Sequence, residues 1–140
     1  MASYNKFNAF VADMPNKVHN FGSDTFKLML TNTAPVATNA VKTDITEISA
    51  GAGYTAGGAS LTLTSSTQSS GTYKYIASAA SPTWTSSGSF ATFRYVVLYN
   101  STAGSGNLVA WWDNGSAVTL TSGQTFTAQL DGTNGVFQIA

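Results

Sequence analysis

The sequence predicts an all-β domain: a jelly-roll-like antiparallel β-sandwich of about eight strands, preceded by a short N-terminal helix or arm. Three observations predict it. Short apolar stretches alternate with Ser, Thr or Lys at a period of two, the mark of a half-buried strand. Turn residues separate these stretches at intervals of roughly 8–12 residues. Only residues 4–21 carry a helical spacing instead.

The elements follow in order. Phe7, Phe10, Val11, Met14 and Val18 fall on one helical stripe, which Pro15 interrupts. Proline removes an amide donor and clashes with the preceding turn, so the helix should end near Asp13, or the segment should be an arm. From Thr25 the period becomes two, with Phe26, Leu28 and Leu30 on one face. Asn32 to Asn39, containing Pro35, reads as a loop. Thr43 to Ile48 suits one helical turn capped by Thr43. Ala50 to Gly58 is glycine-rich and reads as a flexible connection. Strands are then expected at Leu61 and Leu63, Tyr73 to Ala77, Thr83 to Thr85, and Phe93 to Tyr99. Others follow at Leu108 to Trp112, Val118 to Leu120, Phe126 to Leu130, and Val136 to Ile139. The stretch from Phe93 to Tyr99 is apolar on both faces except at Arg94, which predicts a central strand. Asp113-Asn114-Gly115, Ser122-Gly123 and Asp131-Gly132 carry turn chemistry. No repeat or linker suggests a second domain: residues 1–22 form the helix or arm and 23–140 the sandwich.

Composition narrows the function classes. There is no cysteine, so disulfides and thiolate metal sites are excluded, and a reducing compartment or an assembly made inside a cell is expected rather than a secreted mini-domain. Charged residues make up only 9% of the chain, against roughly 25% in an average soluble domain. Six basic and six acidic residues cancel. A neutral surface of Ser, Thr, Gly and Asn suits an ordered assembly, because nothing keeps copies apart. The basic residues are dispersed, which argues against a nucleic-acid partner. No apolar run of about 18 residues marks a membrane span, and the first residues do not read as a signal peptide. Asn100-Ser101-Thr102 and Asn114-Gly115-Ser116 match the glycosylation pattern, as accidents of a Ser/Thr/Asn-rich chain.

The chemistry of catalysis is scarce. His19 is the single histidine. A serine triad needs a histidine oriented by a carboxylate and facing a nucleophile. Asp13 and Asp24 lie near His19 in sequence, but no G-x-S-x-G elbow is present. His19 therefore reads as finishing the N-terminal segment before the Phe21-Gly22 turn. The carboxylates that a glycosidase would pair across a cleft are explained by turns and strand ends. One histidine without clustered acids makes no zinc or calcium site. Gly51-Ala52-Gly53-Tyr54 lacks the register of a phosphate cradle. The expectation is a protein that is not an enzyme and holds no cofactor or metal.

The aromatic residues carry the binding expectations. Trp111 and Trp112 are adjacent, so in a strand they point to opposite faces. One can fill a core while the other meets solvent, a ligand or a neighbouring subunit. Trp84 carries the same two readings. Phe7 and Phe10 either pack on their own domain or dock into a neighbour as an arm. Phe7, Phe10, Trp84, Trp111 and Trp112 are thus the candidate interface residues. Arg94 needs a carboxylate or carbonyl partner if it is buried.

Four phrases carry a resemblance: Lys17 to Pro35 (KVHNFGSDTFKLMLTNTAP), Ile45 to Gly58 (ITEISAGAGYTAGG), Phe93 to Asn100 (FRYVVLYN) and Trp111 to Thr127 (WWDNGSAVTLTSGQTFT). In this order they resemble a family of small tailed-bacteriophage structural proteins. Some members are similar to the cement, or decoration, proteins of short-tailed phage capsids. The resemblance implies a jelly-roll-like domain on the outer surface of the capsid, assembled in the host cytoplasm. It implies the major capsid protein as partner, with the chain as a homodimer or other homo-oligomer. It carries over no active residue. Two other readings stand beside it: a tail, baseplate or fibre component, and a carbohydrate-binding module that stacks a host-surface glycan on Trp84, Trp111 or Trp112.

Overall fold

The computed structural model describes residues 2–78 and 82–140. Ten strands and one short α-helix are present among them, and every strand pairing is antiparallel. The all-β, sandwich-like expectation holds. The strands are β1 (Tyr4–Lys6), β2 (Phe26–Thr31), β3 (Ala59–Ser60), β4 (Leu63–Ser69), β5 (Thr72–Ala77), β6 (Thr83–Thr85), β7 (Phe93–Asn100), β8 (Leu108–Val118), β9 (Thr125–Thr127) and β10 (Phe137–Ile139). They form a five-stranded sheet in the order β1-β8-β7-β2-β3, a three-stranded sheet β10-β5-β4, and a β6-β9 pair.

The N-terminal segment contains both a strand and a helix. β1 pairs with β8, setting Tyr4 opposite Trp112 and Asn5 opposite Trp111. Helix α1 (Asn8–Asp13) follows and stops at Asp13, two residues before Pro15, as the proline requires. This segment packs on its own domain: Phe7 is completely buried and Phe10 nearly so. The arm reading of Phe7 and Phe10 is thereby corrected. The pairing of β1 seats Phe7 under the sheet, and α1 turns Phe10 into the core.

The five-stranded sheet is covered on both faces, which is why β7 is apolar on both. Residues directly opposite each other on neighbouring strands share a face. Tyr4, Trp112, Val96 and Leu30 form one such row across four strands. It faces the larger core, which holds Phe21, Phe26, Tyr75, Phe90, Phe93 and Phe137. Phe21 and Phe26 stack there at 4.5 Å between ring centroids, and Tyr75 stacks on Phe137 at 5.6 Å. The next row, Asn5, Trp111, Val97 and Met29, faces the opposite way. Its apolar members pack with Phe7, Ile45, Tyr99 and Leu108 in a smaller core.

Three local expectations are corrected. Asp113-Asn114-Gly115 does not reverse the chain, because β8 continues through it to Val118. The register jumps from Tyr95↔Asp113 to Phe93↔Val118, so extra residues bulge out of β8. Arg94 lies opposite this bulge and forms a two-pronged ion pair with Asp113, Nε–Oδ1 2.8 Å and Nη2–Oδ2 2.9 Å. That pair holds the Asp113 carboxyl below its ordinary range, helped by a hydrogen bond donated from Gly115 N. The helical turn near Thr43 is a 3-10 turn over Lys42–Asp44. Its cap is Asp44, whose carboxylate accepts hydrogen bonds from the amides of Ala40 and Val41. Thr43 lies inside the turn and caps nothing there.

The third correction concerns the glycine-rich loop, which is tied down. Gly51 and Tyr54 exchange backbone hydrogen bonds. The buried Tyr54 hydroxyl donates to Glu47 Oε1 at 2.6 Å and accepts from Leu30 N at 3.1 Å. Tyr99 donates to the Gly57 carbonyl at 2.7 Å. Glycine is required where this loop meets the sheet. A Cβ on Gly58, at φ +74°, would fall onto the Leu28 carbonyl oxygen.

Candidate binding cleft

A concave surface lies where the larger core opens to solvent beside β1. Trp112 is half-buried and Tyr4 remains 38% exposed. Their rings meet edge to face at 5.7 Å, an arrangement favoured by the aromatic quadrupole. Phe126 of β9 also lines this opening and is itself fixed by Phe93 at 4.8 Å. These three rings border a cleft of about 590 Å³, a size typical of small-molecule sites. Its lining includes the buried side chains of Val96, Ala128 and Val136.

The remaining lining mixes Ala2, Leu130 and Gly135 with polar side chains, and among the described residues it holds no Lys, Arg or His. Asn114, Thr127, Gln129 and Asp131 contribute to it. The bulge in β8 explains the first of these. The Arg94–Asp113 pair and the Gly115 N–Asp113 Oδ1 bond, 2.7 Å, fix the turn of backbone that carries Asn114. Asn114 Nδ2 is spent on the Ser116 carbonyl. Asp131 is held by the amides of Thr133 and Asn134 and by Asn134 Nδ2, which keep its carboxyl below the ordinary range. It is ionised at neutral pH and already oriented. The Gln129 amide is exposed and makes no hydrogen bond among the described residues. Burial pushes the Tyr4 phenol up to about 12, although the residue is part-exposed, so it stays protonated.

The predicted aromatic residues divide between core and surface. Trp84 is 4% exposed, between Tyr54 and Phe126, and cannot serve as a platform. With Phe7 and Phe10 it belongs to this chain's own cores, so these three are corrected as interface anchors. Trp111 is partly exposed against Phe7, with centroids 4.5 Å apart. Of the five, Trp112 alone lines the cleft. Asn114 joins it from two residues further along β8, and Tyr4, Phe126, Gln129 and Asp131 through tertiary structure that no short-range spacing announces.

His19 sits elsewhere, in a buried polar knot. Its Nδ1 accepts from Asn100 Nδ2 at 3.1 Å, which places the ring proton on Nε2. Asn100 Nδ2 also donates to Asp24 Oδ2 at 2.7 Å, and Asn100 Oδ1 accepts from the amides of Thr102 and Ala103. Among the described residues His19 Nε2 has no hydrogen-bond partner, and Asp13 Oδ2 lies 3.8 Å away. Burial among Phe10, Phe21 and Phe26 lowers the His19 pKa, against the pull of Asp13 and Asp24. The knot ties the end of α1 to the end of β7. Asn100 is completely buried, so its glycosylation-type triplet is closed off.

Fold and cleft together define an all-β domain with an aromatic-walled, uncharged-to-acidic recess. No family model, curated protein or solved structure matches the chain.

Proposed function

We propose that the protein is a structural component of a tailed-phage virion, a cement protein bound to the outer surface of the capsid across joints between major capsid subunits. The observation that carries the reading is the free edge of β4. Among the described residues this strand pairs with β5 alone, on one side. Its sequence, LTSSTQS, is seven residues long and holds no Lys, Pro or acid. Soluble proteins usually blunt a strand edge with charge, proline or shortness, because unpaired amides and carbonyls recruit other chains. The one bulge, between Leu63 and Ser65, leaves Ser65 to Ser69 in regular register with β5. An uncharged, unprotected edge on a net-neutral domain supports attachment to a large neighbour through backbone hydrogen bonds. The resemblance of the four sequence phrases to phage structural proteins names the neighbour.

Copy number per particle tests the proposal. Quantitative mass spectrometry of purified virions should find the chain in amounts comparable to the major capsid protein. About six or twelve copies per particle would place it at a vertex or on the tail and overturn the cement reading.

A further inference from the structure

We propose that the cleft beside β1 is a binding site for a neutral oligosaccharide. The inference does not depend on where the protein sits in a virion. It rests on the chemistry of the lining. A pyranose offers one apolar CH face and a rim of hydroxyls. Trp112 and Tyr4 present aromatic surface at the cleft, and both keep part of it open. The hydroxyl rim needs fixed donors and acceptors. Asp131 is an acceptor already oriented by Thr133 and Asn134, and Gln129 is an uncommitted amide. The Tyr4 phenol stays protonated and so can donate.

The charge pattern selects among ligands. Among the described residues no Lys or Arg lines the cleft, and the one ionised side chain there is the Asp131 carboxylate. Phosphates, nucleic acids and acidic sugars would meet that carboxylate, and the one lysine that acts on it, Lys74, does not line the cleft. An all-apolar ligand would strip water from Asp131, Gln129 and Asn114 without replacing their hydrogen bonds. A neutral sugar satisfies both the aromatic and the polar parts. It also identifies which tryptophan acts: Trp84 is enclosed in the core, and Trp111 points to the other face of the sheet.

The test is a fluorescence titration of the intact protein with neutral hexasaccharides of glucose, galactose and N-acetylglucosamine, β- and α-linked. At least one should give a saturable change in tryptophan emission. Trp112→Ala should weaken that binding by about tenfold or more. Gln129→Ala, at an exposed side chain, should weaken it several-fold with an unchanged circular dichroism spectrum. Trp111→Phe should bind as the parent does. The proposal is overturned if none of the sugars binds, or if binding survives both Trp112→Ala and Gln129→Ala. It is overturned equally if only an apolar dipeptide amide such as acetyl-Leu-Phe-amide gives a Trp112-dependent response.

Discussion

Asn100 and His19 show how a few polar atoms stabilise this fold at the expense of acid tolerance. The Asn100 side chain satisfies both donors and its acceptor inside the protein, and one of its partners is neutral His19. An unpaired polar atom at this depth costs about 1–3 kcal/mol. Protonating His19 would place a donor on Nδ1 facing the Asn100 amide, which also donates. The folded pKa of His19 lies below its ordinary value. The unfolded chain therefore binds the proton more readily, and stability rises with pH across the titration. The contribution is complete above about pH 6.5 and is lost progressively below it. Because His19 is the single histidine, the window from about pH 5 to 8 reports on this residue. Urea midpoints should fall between pH 7.5 and pH 5. In His19→Gln, which keeps an acceptor for Asn100, the dependence should flatten. An equal pH slope in the variant would assign the effect to other groups.

At the scale of elements, positive-φ glycines separate close packing from simple chain reversal. Gly58 (φ +74°) lies against the Leu28 backbone, whereas Gly115 (φ +89°) in the β8 bulge has nothing within 4 Å of an added Cβ. Gly115→Ala should cost only the left-handed backbone penalty, about 1–2 kcal/mol. Gly58→Ala must in addition push the loop off β2, and should cost more than about 4 kcal/mol or prevent folding. Urea denaturation of the two variants measures the contrast, and equal costs would contradict the close approach. These positions also mark what the sequence could and could not disclose. The alternation in Tyr73 to Ala77 was legible because β5 has one buried face, whereas in Phe26 to Leu30 only Lys27 marks an alternation and Met29 is buried on the opposite face. The double-sided burial of Phe93 to Tyr99 was legible for a different reason, that apolar residues occupy both faces there apart from Arg94. β1 was obscured because Phe7 and Phe10 complete a helical stripe, although Phe7 ends up under the sheet. β4 was only glimpsed at Leu63, since a Ser/Thr/Gln edge has no apolar alternation to read. Asp113-Asn114-Gly115 carries true turn chemistry, but the pull of Arg94 on Asp113 turns it into a bulge within one strand. Of the cleft, Trp112 was legible from the Trp-Trp pair. Gln129 and Asp131 were not, because only the tertiary fold sets them beside β1.

For the whole molecule, the distribution of charge makes the proposed attachment testable as a force law. With six basic and six acidic residues in 140, the protein has little long-range field. Its exposed ion pair, Arg94–Asp113, is satisfied internally. An interface built on the β4 edge would use backbone hydrogen bonds and small side chains, which salt screens weakly. Retention on particles should therefore be the same after washing at about 50 mM and about 500 mM sodium chloride. A single lysine at the edge should act differently. Thr67 is exposed on β4 and faces Lys74 of β5 in the register. Thr67→Lys sets two ammonium groups opposite each other, at a cost of roughly 0.2–1 kcal/mol for such an exposed pair, small enough to leave the fold intact. It should nevertheless lower occupancy on particles, because an edge lysine obstructs strand addition. Binding to stripped capsids, quantified by gel densitometry, reads both outcomes. Release of the parent protein at the higher salt would show an ionic interface and place attachment elsewhere on the surface. Full occupancy by Thr67→Lys would remove β4 from it.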